Sequence, residues 1–177
     1  MIAAHLIVAV LVGQSATVKP SQHGSVSQDV AATTITVDYN RPVARGRDLF
    51  GALVPYDRVW CPGADNCTTL TTTTDVTIEG KTLPAGTYTI WTKPGREKWS
   101  IMFNKAHPTF HTQYFRVSDQ DALTLEVTPR TASHMETLAF YFAVVNGHHA
   151  ELVLHWGTAT VPQCSTSSAW WPLTTAK

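Results

Sequence analysis

The residues with the most chemistry to offer in this 177-residue sequence are three cysteines, eight histidines and the arginines of one short segment. Cys61 and Cys67 stand six apart across a turn that contains Pro62 and Gly63. In an exported protein that spacing suits a local disulfide. Cys164, far along the chain, is a third thiol that could pair with either, so connectivity stays open.

The histidines invite a zinc or copper reading and do not sustain it. His107 and His111 are four apart, but Pro108 between them argues against one helical face. His148 and His149 are neighbours in a turn, and His155 alternates with Leu154 and Trp156 near a strand end. Structural or solvated imidazole is the preferred reading, and no metal or other cofactor is expected. For hydrolysis, His134 with Glu136, or Asp65 with a loop histidine, could be paired on paper. No GxSxG elbow, HExxH helix or paired-carboxylate motif accompanies them, so no catalytic residue is expected. Arg41, Arg45, Arg47 and Arg58 could hold an anion, yet Asp38, Asp48, Asp57 and Asp65 interleave with them. Loop-organising ion pairs are the expected use.

Size and charge bound what must position these groups. The length suits one domain with a proper core. Formal net charge is zero and only 15% of residues are charged. With no basic stripe, nucleic acid is excluded as a partner reached by bulk electrostatics. Residues 1–13, MIAAHLIVAVLVG, form an apolar run that as a helix would span roughly 20 Å, short of a bilayer core. That length suits a secretory signal. No Lys or Arg precedes it and no clean small-x-small cleavage site follows, so an uncleaved anchor stays open beside it. Export to the periplasm or its equivalent is expected, with membrane contact through residues 1–13. Residues 1–16 are thus read as signal or anchor, 17–30 as a polar linker, 31–162 as the folded domain and 163–177 as an irregular tail.

Within the domain, short runs alternate with period two: Thr33–Tyr39, Thr68–Thr74, Asp75–Glu79, Thr87–Thr92, Trp99–Asn104, Ala122–Thr128, Glu136–Val145 and Ala150–Trp156. Gly80-Lys81, Pro84-Ala85-Gly86, Pro94-Gly95 and Asn146-Gly147 supply turns, the last being the strongest hairpin signal. These runs predict an all-β chain, a single antiparallel β-sandwich with a long ordered loop over 40–67. The tail carries Trp170 and Trp171 side by side, residues that either fold back on the sandwich or bury in a partner.

The stretches DYNRP (Asp38–Pro42), GRDLFGALVPYDRVW (Gly46–Trp60), IEGKTLPAGTYTIWTKPG (Ile78–Gly95) and WSIMFNK (Trp99–Lys105), with Gly63-Ala64 and Thr68-Thr69, resemble a bacterial family known as domain of unknown function 2911. The resemblance covers about residues 25–160 and implies an exported β-sandwich, often behind a signal peptide. It brings no established activity. In that family the segment after the tryptophan usually reads Trp-Arg-x-Gly-Ala-Asn. Here Cys61 stands at the Arg position, Asp65 at the Asn position, and Cys67 replaces a small residue. The obvious ligand-binding groups of the loop are therefore replaced.

The expected function is a non-catalytic extracytoplasmic interaction module, an accessory subunit of a larger membrane complex, respiratory or photosynthetic among the hosts. Its expected contact residues are Arg41, Arg47, Tyr56, Trp60, Trp170 and Trp171. The alternative is a small-ligand or metal-binding periplasmic protein, or a hydrolase, that uses the 40–67 loop.

Overall fold

The structure, a computed structural model, describes residues 19–168, with side chains described as far as residue 163. It is an all-β sandwich. Strands β1 (Gln22–Val30), β2 (Thr33–Arg41), β3 (Thr69–Thr72), β6 (Gly86–Pro94), β7 (Trp99–Asn104) and β8 (Asp121–Val127) form one antiparallel sheet in the order β1-β2-β3-β6-β7-β8. The second sheet has the order β5-β4-β10-β9, from β4 (Val76–Ile78), β5 (Lys81–Leu83), β9 (Arg130–Asn146) and β10 (His149–Ser168).

Alternation dictates what fills the space between them. In β2, Thr33, Ile35, Val37 and Tyr39 are buried, while the residues between them are half-buried on the outer face. Ile90, Ile101, Phe103, Leu123 and Leu125 join them from the same sheet; Ile78, Leu138, Leu152 and Leu154 answer from the other. Each such side chain contributes about 1.5–3 kcal/mol on burial, so this layer is what orders the loops at its rim. Turn chemistry follows backbone demand. Glu79 and Gly80 lie at φ 47° and 78° between the paired residues Ile78 and Lys81, a two-residue hairpin with both central residues left-handed. The β9–β10 turn is Gly147-His148, one residue later than expected, since Asn146 pairs with His149.

Two expected boundaries are overturned. The polar segment 17–30 is no linker: Gln22–Val30 pairs with β2 along its whole length. An edge strand needs few apolar residues, and here hydroxyl and carboxylate pairs replace them, Ser27 Oγ with Thr36 Oγ1 at 2.9 Å and Thr34 Oγ1 donating to Asp29 Oδ1 at 2.7 Å. Nor does the tail begin at 163. The backbone of β10 continues to Ser168, pairing Thr166 with Ile78 and Ser168 with Val76. Pro162, which cannot donate to a ladder, sits between the β9 and β4 pairings.

One corner closes the sandwich and launches the loop. After Arg41 the chain leaves the large sheet and crosses to the β9 edge. Leu138 N–H donates to Pro42 O at 2.9 Å and Ala44 N–H to Glu136 O at 2.8 Å, around an isolated bridge between Val43 and Thr137. Arg41 Nε donates to Leu138 O at 3.2 Å, and the Tyr39 hydroxyl accepts the Phe140 N–H at 3.1 Å. The edge of β9 is thus covered by the chain's own backbone. The DYNRP motif is the stitching of that corner.

Candidate functional site

The loop that follows the corner is held at every stage. Residues 48–54 close on themselves, with Val54 N–H donating to Leu49 O at 2.8 Å and Gly51 N–H to Val54 O at 2.8 Å. Leu49 docks over β10, where Gly157 lies at φ +59°. A Cβ on Gly157 would stand 2.7 Å from Leu49 Cδ1. Trp60 and Thr92 exchange backbone hydrogen bonds at 2.7 and 2.8 Å, so the loop lies against β6. Asn40 Nδ2 donates to Ala64 O at 2.8 Å, and Cys67 N–H donates to Thr109 O at 2.8 Å. These bonds fix the loop to the corner, to β6 and to the segment between β7 and β8.

The arginines do part of this work, but not as expected. Among the described residues the ion pairs are Lys19–Asp65, His23–Asp38, Lys98–Glu126, Arg130–Glu151 and His134–Glu136, and none joins a loop arginine to a loop aspartate. Arg47 instead donates from Nε to Ala44 O at 2.8 Å and from its terminal nitrogen to Val43 O at 2.7 Å. A guanidinium has five donors, and each backbone carbonyl leaving the corner has two lone pairs to offer close at hand.

Under the loop, two aromatic residues from it meet two from the sheets. Phe50 lies edge-on to Trp99 at 4.7 Å between ring centroids, and Trp60 stacks on Trp156 at 5.9 Å with planes 16° apart. Trp99 and Trp156 are buried, whereas Phe50 and Trp60 are half-buried. Clefts flank this cluster. The larger, about 900 Å³, is walled by the loop on one side and by the β6–β7 turn, the start of β9 and β10 at Gly157 on the other. Arg47, Tyr56, Arg96, Arg130 and His134 line it, with Arg96 over the Tyr56 ring at 4.9 Å. The smaller, about 360 Å³, is lined by Arg45, Arg47, Leu53, Trp60, Asp65 and Trp156. Arg47 borders both.

The expected contact residues therefore separate. Arg47, Tyr56 and Trp60 come together on the loop face, whereas Arg41 ties the two sheets at the corner. Trp170 and Trp171 lie outside the described residues. The last described pairing, Ser168 with Val76, is at the end of the sandwich that holds the β1–β2 turn, because Thr74 is hydrogen-bonded to Thr33 there. The loop is at the other end, where Lys19 pairs with Asp65 at 3.2 Å. Sequence reasoning missed Phe50, Leu53 and Trp156 as parts of this face, and read Arg45 only as a loop arginine for an anion or an ion pair. Phe50 and Leu53 had a signal, since apolar residues within a Gly-rich loop need something to pack on.

Charge on this face is locally matched. Glu136 accepts from His134 Nε2 at 2.8 Å and from the Arg45 backbone N–H at 2.6 Å, and these bonds, the imidazole's first, hold its carboxyl below the usual range. Asp65 O accepts the His111 backbone N–H at 3.1 Å and lies 2.8 Å from His111 Nδ1. Among the described residues no three His, Cys, Asp or Glu side chains are grouped to hold a metal.

The disulfide expected between Cys61 and Cys67 is not formed here. Both are free thiols, and both are buried. They lie with Trp91, Met102 and Tyr114 in a small second core on the outer face of the large sheet, and neither lines a cleft. Two short 3-10 turns, Tyr114–Arg116 and Ser118–Gln120, help to cover it. Asn104, fully buried, holds this cover by donating to Val117 O at 2.6 Å and Asp121 Oδ1 at 2.8 Å and accepting the Ala106 N–H at 2.8 Å. Tyr114 donates to Asp121 Oδ2 at 2.6 Å; burial and that bond raise its phenol above the usual value. No helix among the described residues is long and apolar enough to cross a membrane.

Compared with known proteins, residues 21–163 match a family described as "Protein of unknown function (DUF2911)". No curated protein and no solved structure matches the chain.

Proposed function

The chain belongs to the DUF2911 family of proteins of unknown function, and we propose that it serves as a non-catalytic, extracytoplasmic interaction module whose loop face seats on a protein partner. The observation that carries this is the loop face itself. A backbone fixed by hydrogen bonds to three other parts of the molecule presents half-buried Trp60, exposed Leu53 at 44% and Val59 at 38%, and Arg45 and Arg47 around them. A rigid tryptophan with guanidinium neighbours is the composition of a protein-binding hot spot, and prior ordering lowers the entropic cost of association.

The partner we propose is a larger membrane complex, which the protein joins as an accessory subunit. The apolar run 1–13 supports this as a segment suited to membrane contact. Trp170 and Trp171 would then make a second contact. The described backbone ends at the pole opposite the loop face, roughly 25 Å away by the length of β2.

The test is purification of the native protein from membranes in mild detergent. Co-purification with larger subunits at fixed stoichiometry, with Met1 intact, is the expected result. A freely soluble monomer with a processed N-terminus would overturn the reading. A second reading, small-ligand binding, is favoured by the cleft of about 900 Å³ with Arg47, Arg96, Arg130 and His134 on its walls. Native mass spectrometry of the isolated chain decides it: a bound small molecule lost on Arg47→Ala supports it, and a bare chain refutes it.

A further inference from the structure

Neither clefts nor contacts account for Cys61 and Cys67. They line no cleft, they are buried, and they pack in one small core. The Cys61 sulfur also accepts the Thr68 N–H at 3.2 Å. Trp91, Met102 and Tyr114 pack around them. Burial accordingly pushes the Cys61 thiol well up, which makes it a poor nucleophile once the core is closed. The cover over them is pinned to the same short stretch: Cys67 N–H donates to Thr109 O and His111 N–H to Asp65 O.

We propose that Cys61 and Cys67 are a two-state redox pair, a dithiol that an oxidised thiol reagent converts into one intramolecular disulfide clamping the end of the loop. The two sulfurs lose their protons and form one S–S bond. The two electrons pass to the disulfide of the oxidant, which leaves as two thiols. Because the thiols are covered in the folded protein, exchange proceeds during folding or when the segment 105–120 opens. The closed ring contains only Pro62 to Asn66, so the gain comes from restricting the unfolded chain near the loop's end. This inference concerns the second core and stands whether or not the loop face binds a protein.

The full-length chain refolded in oxidised glutathione, alkylated and digested with trypsin reports the outcome directly. Cleavage after Arg58 and Lys81 leaves both cysteines on one peptide, and Cys164 on another. The expected peptide is two hydrogens lighter and unalkylated, and the oxidised protein melts about 5 °C above the reduced one. That difference should vanish in Cys67→Ala, a variant not needed for the peptide result. Alkylation at both residues after oxidation, a peptide joined through Cys164, or glutathione adducts alone would each overturn the proposal.

Discussion

Trp60 of the loop stacks on Trp156 of β10, ring centroids 5.9 Å apart and planes 16° from parallel. The contact spans 96 positions of sequence and joins the one half-buried indole of the loop face to a buried indole whose Nε1 donates to Glu136 O at 3.3 Å. The two partners should respond differently. Trp156→Ala removes a core residue and should cost about 3–5 kcal/mol in urea unfolding. Trp60→Ala should cost about 1–2 kcal/mol, while abolishing retention by the membrane complex. Equal effects of the two on stability, with binding intact in Trp60→Ala, would remove Trp60 from the contact surface.

Gly157 is required where it stands. Its φ of +59° is left-handed, and a Cβ there would stand 2.7 Å from Leu49 Cδ1. Gly157→Ala should destabilise by roughly 2 kcal/mol or more, through backbone strain and displacement of the 48–54 turn. Leu49→Ala alone opens a cavity, and combining the two should cost less than the sum because the clash is gone. Additive costs in that double-mutant cycle would show that the two residues do not meet.

Stability should fall in acid partly through Glu136. Its carboxyl ionises more readily in the folded protein than its ordinary value of 4.5, because His134 and the Arg45 N–H bond the charged form. Its contribution is therefore complete above the unfolded-state value and fades as pH drops through the lower folded one. Glu136→Gln should flatten part of the fall in urea midpoint across that range and loosen the loop at Arg45. An unchanged acid profile in Glu136→Gln would exclude this carboxyl as a contributor.

The aromatic tail yields a prediction that separates its two uses. Replacing Trp170 and Trp171 by Ala should release the protein from its complex while leaving the melting temperature of the isolated chain unchanged. A lowered melting temperature would instead place the pair on the chain's own domain.

Much of the fold was legible. Period-two alternation located eight of the ten strands, and Trp99–Asn104 to the residue, because a strand half-facing a core must alternate. The strand β1 was hidden because edge pairing is satisfied by backbone and hydroxyl groups, as in Ser27 with Thr36, which leave no apolar rhythm. The strand β5 was hidden by being three residues long, and the end of β10 by a Ser/Thr-rich composition without apolar alternation.

By itself the sequence determined an all-β sandwich, the position of its long loop, the family and the residues that look chemical. Those follow from local periodicity, turn residues and motif identity, which neighbours along the chain dictate. Only the tertiary structure decided what the chemical residues do. Arg47 turned to backbone carbonyls because the corner brings Val43 O and Ala44 O within reach of its guanidinium. Cys61 and Cys67 went into a second core because the outer face of β6 and β7 carries Trp91 and Met102, which need covering. Trp60 met Trp156 because β10 passes under the loop at Gly157. Contacts between residues distant in sequence are set by the packing of the two sheets, and no local pattern encodes them.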